Sequence, residues 1–182
     1  MPNVCQNLNF DLSLGISKFV PHIPHQNGID SILKWILANK EKLLLNSSQA
    51  QSTNGKKLLK PDFVCWRGLL TTLLATPYEN QKEWQFSVIK HRGTIYMCEI
   101  ETEKSKYERE NMDAKSYSFT YWGHKFESYI TTDHPMDIPN GVDDVPDQEN
   151  NFGTVVTSKL NEHYLFYSAE IGVLFGSFIL FN

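Results

Sequence analysis

Residues 84–101 read WQFSVIKHRGTIYMCEIE, and their pattern is typical of β-structure. Apolar and polar side chains alternate at its start, residues 91–93 have the composition of a tight turn, and an extended run follows. Two such strands around a short glycine-containing turn predict a β-hairpin. Residues 154–171, TVVTSKLNEHYLFYSAEI, repeat the arrangement around a turn at 160–162 and predict a second hairpin.

Helices are predicted on both sides of the first hairpin. Apolar residues recur at helical spacing at 30–45, 65–74 and 121–130. The second helix should end before Thr76, because a residue that precedes proline is pushed out of the helical region. Residues 46–57, NSSQAQSTNGKK, have no apolar period and predict a flexible connection. The chain therefore contains both predicted helices and predicted hairpins.

The composition is that of a globular protein. The chain has 182 residues, of which 41% are hydrophobic, 21% charged and 13% aromatic. These values exclude collagenous, disordered and coiled-coil proteins, and the length suits one domain or one lobe of a larger one. Three scattered cysteines without a CxxC pair favour a reducing compartment over a disulfide framework or a zinc site. The longest apolar stretch, 171–181, is too short to span a bilayer, so we expect a soluble, intracellular protein.

Charge is distributed unevenly along the chain. Residues 1–92 carry 11 Lys and Arg against 6 Asp and Glu, whereas residues 93–182 carry 6 against 15. The overall net charge of −4 argues against a protein that simply coats nucleic acid. Two interpretations stay open: a basic half that contacts phosphate beside an acidic half that holds a metal, or solvated faces that differ by chance.

Few side chains have the pattern of a catalytic group. The sequence has no GxSxG, no P-loop and no histidines at metal-ligand spacing. Arg67 lies between Trp66 and Gly68 in an apolar run, and such a guanidinium either pairs with a carboxylate of the fold or binds a phosphate. Glu127 and Glu170 have apolar neighbours, so they are either metal-binding carboxylates, of the kind that suits Mg²⁺ or Mn²⁺, or ordinary structural ones.

Two other groups of residues favour structural roles. Alternating glutamates on a strand are typical of a solvated sheet edge, and well-spaced tryptophans are more often core residues than platforms for bases. The glutamates are Glu99, Glu101 and Glu103, and the tryptophans are Trp66, Trp84 and Trp122.

Four stretches resemble a known family in their order and separations. They are CWRGLLTTLLATPYE at 65–79, GTIYMCEIETE at 93–103, YWGHKFESYI at 121–130 and LFYSAEI at 165–171. Over residues 1–171 the chain resembles the N-terminal half of the DXO decapping exonuclease family, the RAI-like decapping nucleases. The resemblance implies an α+β fold with two β-sheets flanked by helices, incomplete here because the chain stops midway through the family domain.

The resemblance also implies a metal-dependent RNA decapping nuclease that acts in mRNA quality control. Members remove incomplete or NAD caps and 5′ pyrophosphate with Mg²⁺ or Mn²⁺, and some degrade RNA from its 5′ end. Glu127 closes GHKFE and Glu170 opens the family's Glu-hydrophobic-Asp motif, so both are implied to be catalytic metal ligands. Trp66, Arg67, Gly68 and Glu170 are implied to contact the substrate, with Arg67 on its phosphate. The implied partners are RNA 5′ ends and a 5′ to 3′ exoribonuclease, without DNA or a membrane, in nucleus or cytoplasm.

The sequence departs from the family at two places. His124 stands where the family motif has an apolar residue, and Gly172 stands where the family has its metal-binding Asp. Residues 172–182 form an apolar tail without family character, which we expect to come from intron read-through or a truncated gene model. Three hypotheses follow: a family nuclease, an inactive truncated or degenerate member that binds RNA or an exoribonuclease, or a fragment that does not fold stably.

Overall fold

The described part of the chain forms two compact units. The computed structural model describes residues 11–21, 28–79, 83–130 and 153–170, with the backbone alone at 130 and 170. The smaller unit contains residues 11–21 and 111–130, and the larger one contains 28–110 and 153–170. In these ranges, no helix combines the length and the apolar character needed to cross a membrane.

A five-stranded mixed sheet forms the framework of the larger unit. Its strands are β1 (Phe63–Trp66), β2 (Gln85–His91), β3 (Thr94–Ile100), β4 (Gly153–Leu160) and β5 (His163–Glu170), in the spatial order β2-β3-β1-β5-β4. The central strand β1 pairs in parallel with β3 and with β5. The pairs β2–β3 and β4–β5 are antiparallel, which confirms both predicted hairpins.

Helices of the larger unit cover the two faces of its sheet. The helices are α1 (Asp30–Ala38), α2 (Lys40–Leu43), α3 (Ser47–Ser52), α4 (Arg67–Ala75) and α5 (Glu103–Glu110) in the larger unit, and α6 (Ala114–Ile130) in the smaller one. On one face, Ile32 and Ile36 of α1 pack against Val64 and Phe166. The opposite face carries a second cluster of Cys65, Leu69 and Met97, to which α4 contributes. The α+β class is therefore confirmed, and the described residues contain one sheet rather than the two that the family resemblance implies.

The predicted helix at 65–74 is wrong at its first two residues. Cys65 and Trp66 belong to strand β1, and the helix begins at Arg67. Because α1 and α4 cover both faces of the strand, Val64 and Cys65 are each almost completely buried. A strand buried on both sides is a continuous apolar run, which periodicity cannot distinguish from the start of a buried helix. The helix ends at Ala75, as the proline rule predicts, although Thr76 keeps helical angles (φ −48°, ψ −37°).

Residues 46–57, predicted as a flexible connection without an apolar period, contain a short helix. The helix α3 occupies Ser47–Ser52, and at its start the Gln49 side chain accepts a hydrogen bond from the backbone N–H of Asn46 at 3.3 Å. Polar groups that bond to the ends of a helix can define it without an apolar stripe, so the absence of a period was misleading. The predicted helix at 30–45 is also divided, at Asn39, into α1 and α2.

In the smaller unit, α6 holds the segment 11–21 through tyrosine hydroxyls. Tyr117 and Tyr121 donate to the backbone carbonyls of Phe19 and Leu14, and Tyr129 donates to that of Asp11 at 3.1 Å. These tyrosines are four, eight and twelve positions apart, so they lie on one side of the helix. The segment is thereby fixed along one face of α6.

Asp62 connects the start of β1 with the start of β5. Its carboxylate lies 2.5 Å from the Lys57 ammonium and accepts a hydrogen bond from the backbone N–H of Tyr164 at 2.8 Å. Partial burial raises the pKa of Asp62, but the hydrogen bonds from Lys57 and Tyr164 outweigh that effect and lower it below its usual range. The ionised carboxylate is therefore stabilised in the folded state.

We expect Asp62→Asn to lower the free energy of unfolding at pH 7 by about 1–2 kcal/mol, because the charge-assisted bond to Lys57 is lost. A lowered folded-state pKa contributes stability above the unfolded value of about 3.9, and that stability is lost as pH falls through the folded pKa. In urea titrations from pH 7 to pH 3, the wild-type advantage should shrink below about pH 4. A difference that stays constant over this range would contradict the assignment.

Candidate functional site

The carboxyl ends of the parallel strands meet at one edge of the sheet. Trp66, the last residue of β1, is opposite Ser168 in β5, so Arg67 and Glu170 follow at the same end of two neighbouring strands. The parallel strand β3 also ends there, immediately before Glu101. In open sheets with parallel strands, ligands bind beyond the carboxyl ends. We call this region, Arg67 with the ends of β1, β3 and β5, the carboxyl edge.

Arg67 is exposed at the start of α4. It makes no ion pair with any other residue that the structure describes, so the interpretation as a structural pair gains no support there. The preceding residue, Trp66, is extended and does not cap the helix with its side chain, which leaves first-turn amides pointing outwards. A Cβ added at Gly68 would meet nothing within 4 Å. The guanidinium, the uncapped amides and the open surface form an arrangement that suits an anion.

Trp66 has a structural role in the larger unit. Its indole N–H donates to the carbonyl of Gly28 at 2.9 Å, and its ring packs against the core that α1 covers. The core interpretation of this tryptophan is confirmed. The hydrogen bond fixes the end of β1 and, through the chain, the point at which Arg67 leaves the sheet.

Glu101 is already neutralised by another side chain. Arg109 of α5 donates from Nε and from a terminal nitrogen to the two carboxylate oxygens, at 2.8 and 3.1 Å. The hydrogen bonds from Arg109 lower the pKa of Glu101. The sequence interpretation as a simple solvated edge missed this pair, because eight residues and a strand-to-helix junction separate the partners. Such a distance has no sequence signature of the i, i+4 kind.

Glu127 lies on α6 in the smaller unit. Its side chain is exposed, whereas Tyr121, Lys125 and Tyr129 of the same helix are buried. Glu127 therefore lies beside a buried stripe, as predicted, but Phe126 is 47% exposed and does not belong to that stripe. His124, the departure from the family motif, packs as an aromatic residue, with its ring centroid 6.0 Å from that of Phe19.

The structure thus brings some of the predicted site residues together within one unit. Trp66, Arg67, Gly68 and the backbone of Glu170 lie at the carboxyl edge of the larger unit, whereas Glu127 belongs to the smaller unit. Among the described residues, no group of three or more His, Cys, Asp or Glu side chains is arranged to hold a metal ion. Gly172 and the predicted apolar tail at 172–182 lie outside the described residues.

A nucleophilic cysteine finds no support at this edge. Burial raises the pKa of the Cys65 thiol to about 12 and raises that of Cys98 as well. Cysteine reacts as the thiolate, so neither of these side chains is poised for nucleophilic chemistry at neutral pH.

Sequence comparison relates the chain to decapping nucleases. Residues 1–177 match the family model described as RAI1 like PD-(D/E)XK nuclease. The chain is 34% identical over 176 residues to the decapping and exoribonuclease protein of Bos taurus, covering 93% of this chain and 41% of that protein. It is 31% identical over 179 residues to decapping nuclease dom-3 of Caenorhabditis elegans, covering 92% and 43%. The chain therefore spans about two fifths of the length of these relatives.

Comparison of folds identifies solved structures with a similar fold. Rai1 of Scheffersomyces stipitis, solved with (3′-NADP)⁺ and a calcium ion, aligns with a TM-score of 0.61 at 19% identity over 90% of this chain and 42% of that one. Rai1 of Candida albicans, solved with pU5 and Mn²⁺, aligns with a TM-score of 0.61 at 18% identity over 90% and 44%. At such identities the likeness shows the fold, and with the match over residues 1–177 the chain belongs to the RAI1-like PD-(D/E)XK nuclease family.

Proposed function

We propose that this chain provides the phosphate-binding and metal-binding half of a nuclease that removes defective 5′ ends from RNA. The observation that carries the proposal is the position of Arg67, exposed and without a described ion-pair partner, beside the end of β5 where Glu170 lies. Arg67 would bind the 5′ phosphate bidentately and offset its charge. The Candida Rai1 complex with pU5 and Mn²⁺ supports a 5′-phosphorylated RNA as the ligand.

Glu127 and Glu170 are the proposed ligands of Mg²⁺ or Mn²⁺. Both supply hard carboxylate oxygens, and such cations bind through one or two carboxylates together with water and substrate phosphate. A bound cation supplies Lewis-acid stabilisation of the phosphate and an activated water. Each carboxylate would supply oxygen ligands to a cation, and Arg67 would bind the phosphate.

The substrates are proposed to be RNAs with incomplete caps, NAD caps or a 5′ pyrophosphate, with 5′ to 3′ exonuclease activity as an additional step. The Scheffersomyces Rai1 complex with (3′-NADP)⁺ supports a dinucleotide cap as a ligand of this fold. The proposed partner is a 5′ to 3′ exoribonuclease, and the proposed location is the nucleus or the cytoplasm. The family relationship supports all of these assignments equally.

Isothermal titration with Mn²⁺ tests the metal site. The wild-type chain should bind Mn²⁺, and the double variant Glu127→Ala/Glu170→Ala should lose at least ten-fold in affinity, because it lacks both proposed ligands. A matched double variant, Glu103→Ala/Glu108→Ala, removes two exposed carboxylates of α5 and should bind like the wild type. Circular dichroism establishes that each protein is folded. Equal affinity in all three proteins, or a folded wild type that binds no Mn²⁺, would contradict the proposed site.

A further inference from the structure

We propose that the sheet edge opposite Arg67 binds the phosphodiester backbone of single-stranded RNA, separately from the carboxyl edge. The amino ends of the parallel strands β1, β3 and β5 lie at this opposite edge. The region consists of residues 40–62, which precede β1, and residues 90–94 around the β2–β3 turn, and we call it the basic edge. It requires neither the proposed metal site nor a 5′ phosphate.

Backbone hydrogen bonds gather the segments of the basic edge. The N–H of Leu58 donates to the carbonyl of Arg92 at 3.3 Å, and the N–H of Lys60 donates to that of Leu43 at 2.7 Å. At the turn, Gly93 has φ +80°, and a Cβ added there would lie 2.9 Å from the Cα of Lys57. The chain segments therefore lie in close contact, which brings the residues that carry these cations to one end of the sheet.

The charge of the basic edge is strongly positive. Residues 40–62 and 90–94 contain seven Lys and Arg against two carboxylates, Glu41 and Asp62, which gives a net charge of +5. The cations are Lys40, Lys42, Lys56, Lys57, Lys60, Lys90 and Arg92. All except Lys57 are exposed, and Lys57 alone forms an ion pair within the described residues, with Asp62. The positive charge of residues 1–92 is thus concentrated at one end of the sheet and faces solvent.

The chemistry of this surface favours a polyanion chain with aromatic bases. Closely spaced cations bind successive phosphates by releasing condensed counterions. Tyr164 lies at the same edge as the second residue of β5, and it is 49% exposed. Its backbone carbonyl accepts a hydrogen bond from the N–H of Asp62 at 2.7 Å. An exposed aromatic ring beside cations can stack on a nucleic-acid base. An acidic polypeptide segment offers no base for this contact. Single-stranded RNA therefore fits the surface better than an acidic protein does.

Fluorescence anisotropy with a 20-nucleotide oligouridine tests the proposal. The RNA carries a 5′ hydroxyl and a 3′ fluorophore, and the buffer contains EDTA, so that neither the proposed metal ligands nor a 5′ phosphate contributes. We expect Lys60→Glu/Lys90→Glu/Arg92→Glu to weaken binding at least ten-fold and to reduce the slope of log K against log salt by about 2, at about 0.7 per lost phosphate contact.

A charge-matched variant separates a local surface from overall charge. Lys18→Glu/Lys106→Glu/Lys115→Glu changes the net charge by the same amount at exposed residues outside the basic edge, and it should weaken binding about three-fold or less. Circular dichroism excludes unfolding in both variants. Equal weakening by the two variants, or no RNA binding by the wild type, would overturn the proposal. These outcomes do not depend on Mn²⁺ binding, so this proposal and the proposed function fail separately.

Two further measurements distinguish RNA from an acidic protein. Tyr164→Ala should weaken binding of the oligouridine several-fold, because a stacking contact is lost. Poly-glutamate at the same concentration of negative charge should displace the RNA poorly. If poly-glutamate competes as well as unlabelled RNA and Tyr164→Ala has no effect, the surface accepts acidic polypeptides and the RNA proposal is wrong.

Discussion

Replacing Phe166 with alanine is expected to lower the free energy of unfolding by about 3–5 kcal/mol, the range for large aromatic residues removed from a core. Phe166 is 1% exposed at the centre of the sheet, where it contacts the cluster of α1 and lies 5.4 Å from the ring of Trp35, measured between centroids. The substitution removes the side chain that joins α1 to β5 and leaves a cavity. Because domains are stable by about 5–15 kcal/mol, this variant should lose much of its stability.

Urea denaturation followed by circular dichroism measures this effect. Phe126→Ala provides the control, since Phe126 is 47% exposed and its removal should cost about 1 kcal/mol or less. The two variants delete the same atoms, so a difference between them reports burial. A loss below about 1 kcal/mol in Phe166→Ala would show that the core between α1 and the sheet is not the main source of stability.

Arg67→Ala is expected to weaken binding of a 5′-monophosphorylated oligouridine about ten- to hundred-fold, which corresponds to about 1.5–3 kcal/mol for hydrogen bonds to a charged group. The affinity for the same RNA with a 5′ hydroxyl should change little. Stability should stay within about 0.5 kcal/mol, because Arg67 is exposed and makes no described ion pair. Arg67→Lys should bind the 5′-monophosphorylated RNA with an affinity between those of the wild type and Arg67→Ala, since lysine keeps the charge but not the bidentate geometry.

A second arginine provides the control for this experiment. Arg92→Ala, at the basic edge, should weaken the binding of both RNAs by the same factor, because the proposed contact of Arg92 is with the internal phosphodiester backbone. Anisotropy titrations of the four combinations of variant and RNA, in EDTA, therefore give a cross-check. An Arg67→Ala variant that loses the same factor for both RNAs would contradict the assignment of a 5′-phosphate site.

Local sequence patterns predicted the elements whose partners are close in the chain. The hairpins at 84–101 and 154–171 could be predicted because a period of two on each side of a short turn is a local property. The helix α1 and the end of α4 before Pro77 could also be predicted, because both depend on residues that are close in the sequence. The motifs around Arg67, Glu127 and Glu170 identified the family, since their order and spacing are also written in the chain.

Local patterns predicted the two hairpins, and the order and spacing of the motifs identified the family and with it the α+β class. Tertiary packing sets which distant residues lie side by side. It placed Cys65 and Trp66 in a central parallel strand, because burial by helices on both faces erases the period that marks a strand. In the folded chain Glu101 pairs with Arg109, and the cationic residues of 40–62 and 90–94 lie at one end of the sheet. The physical reason is that parallel pairing and side-chain contacts between distant residues depend on packing of the whole unit, whereas a sequence pattern reports only the neighbourhood of each residue.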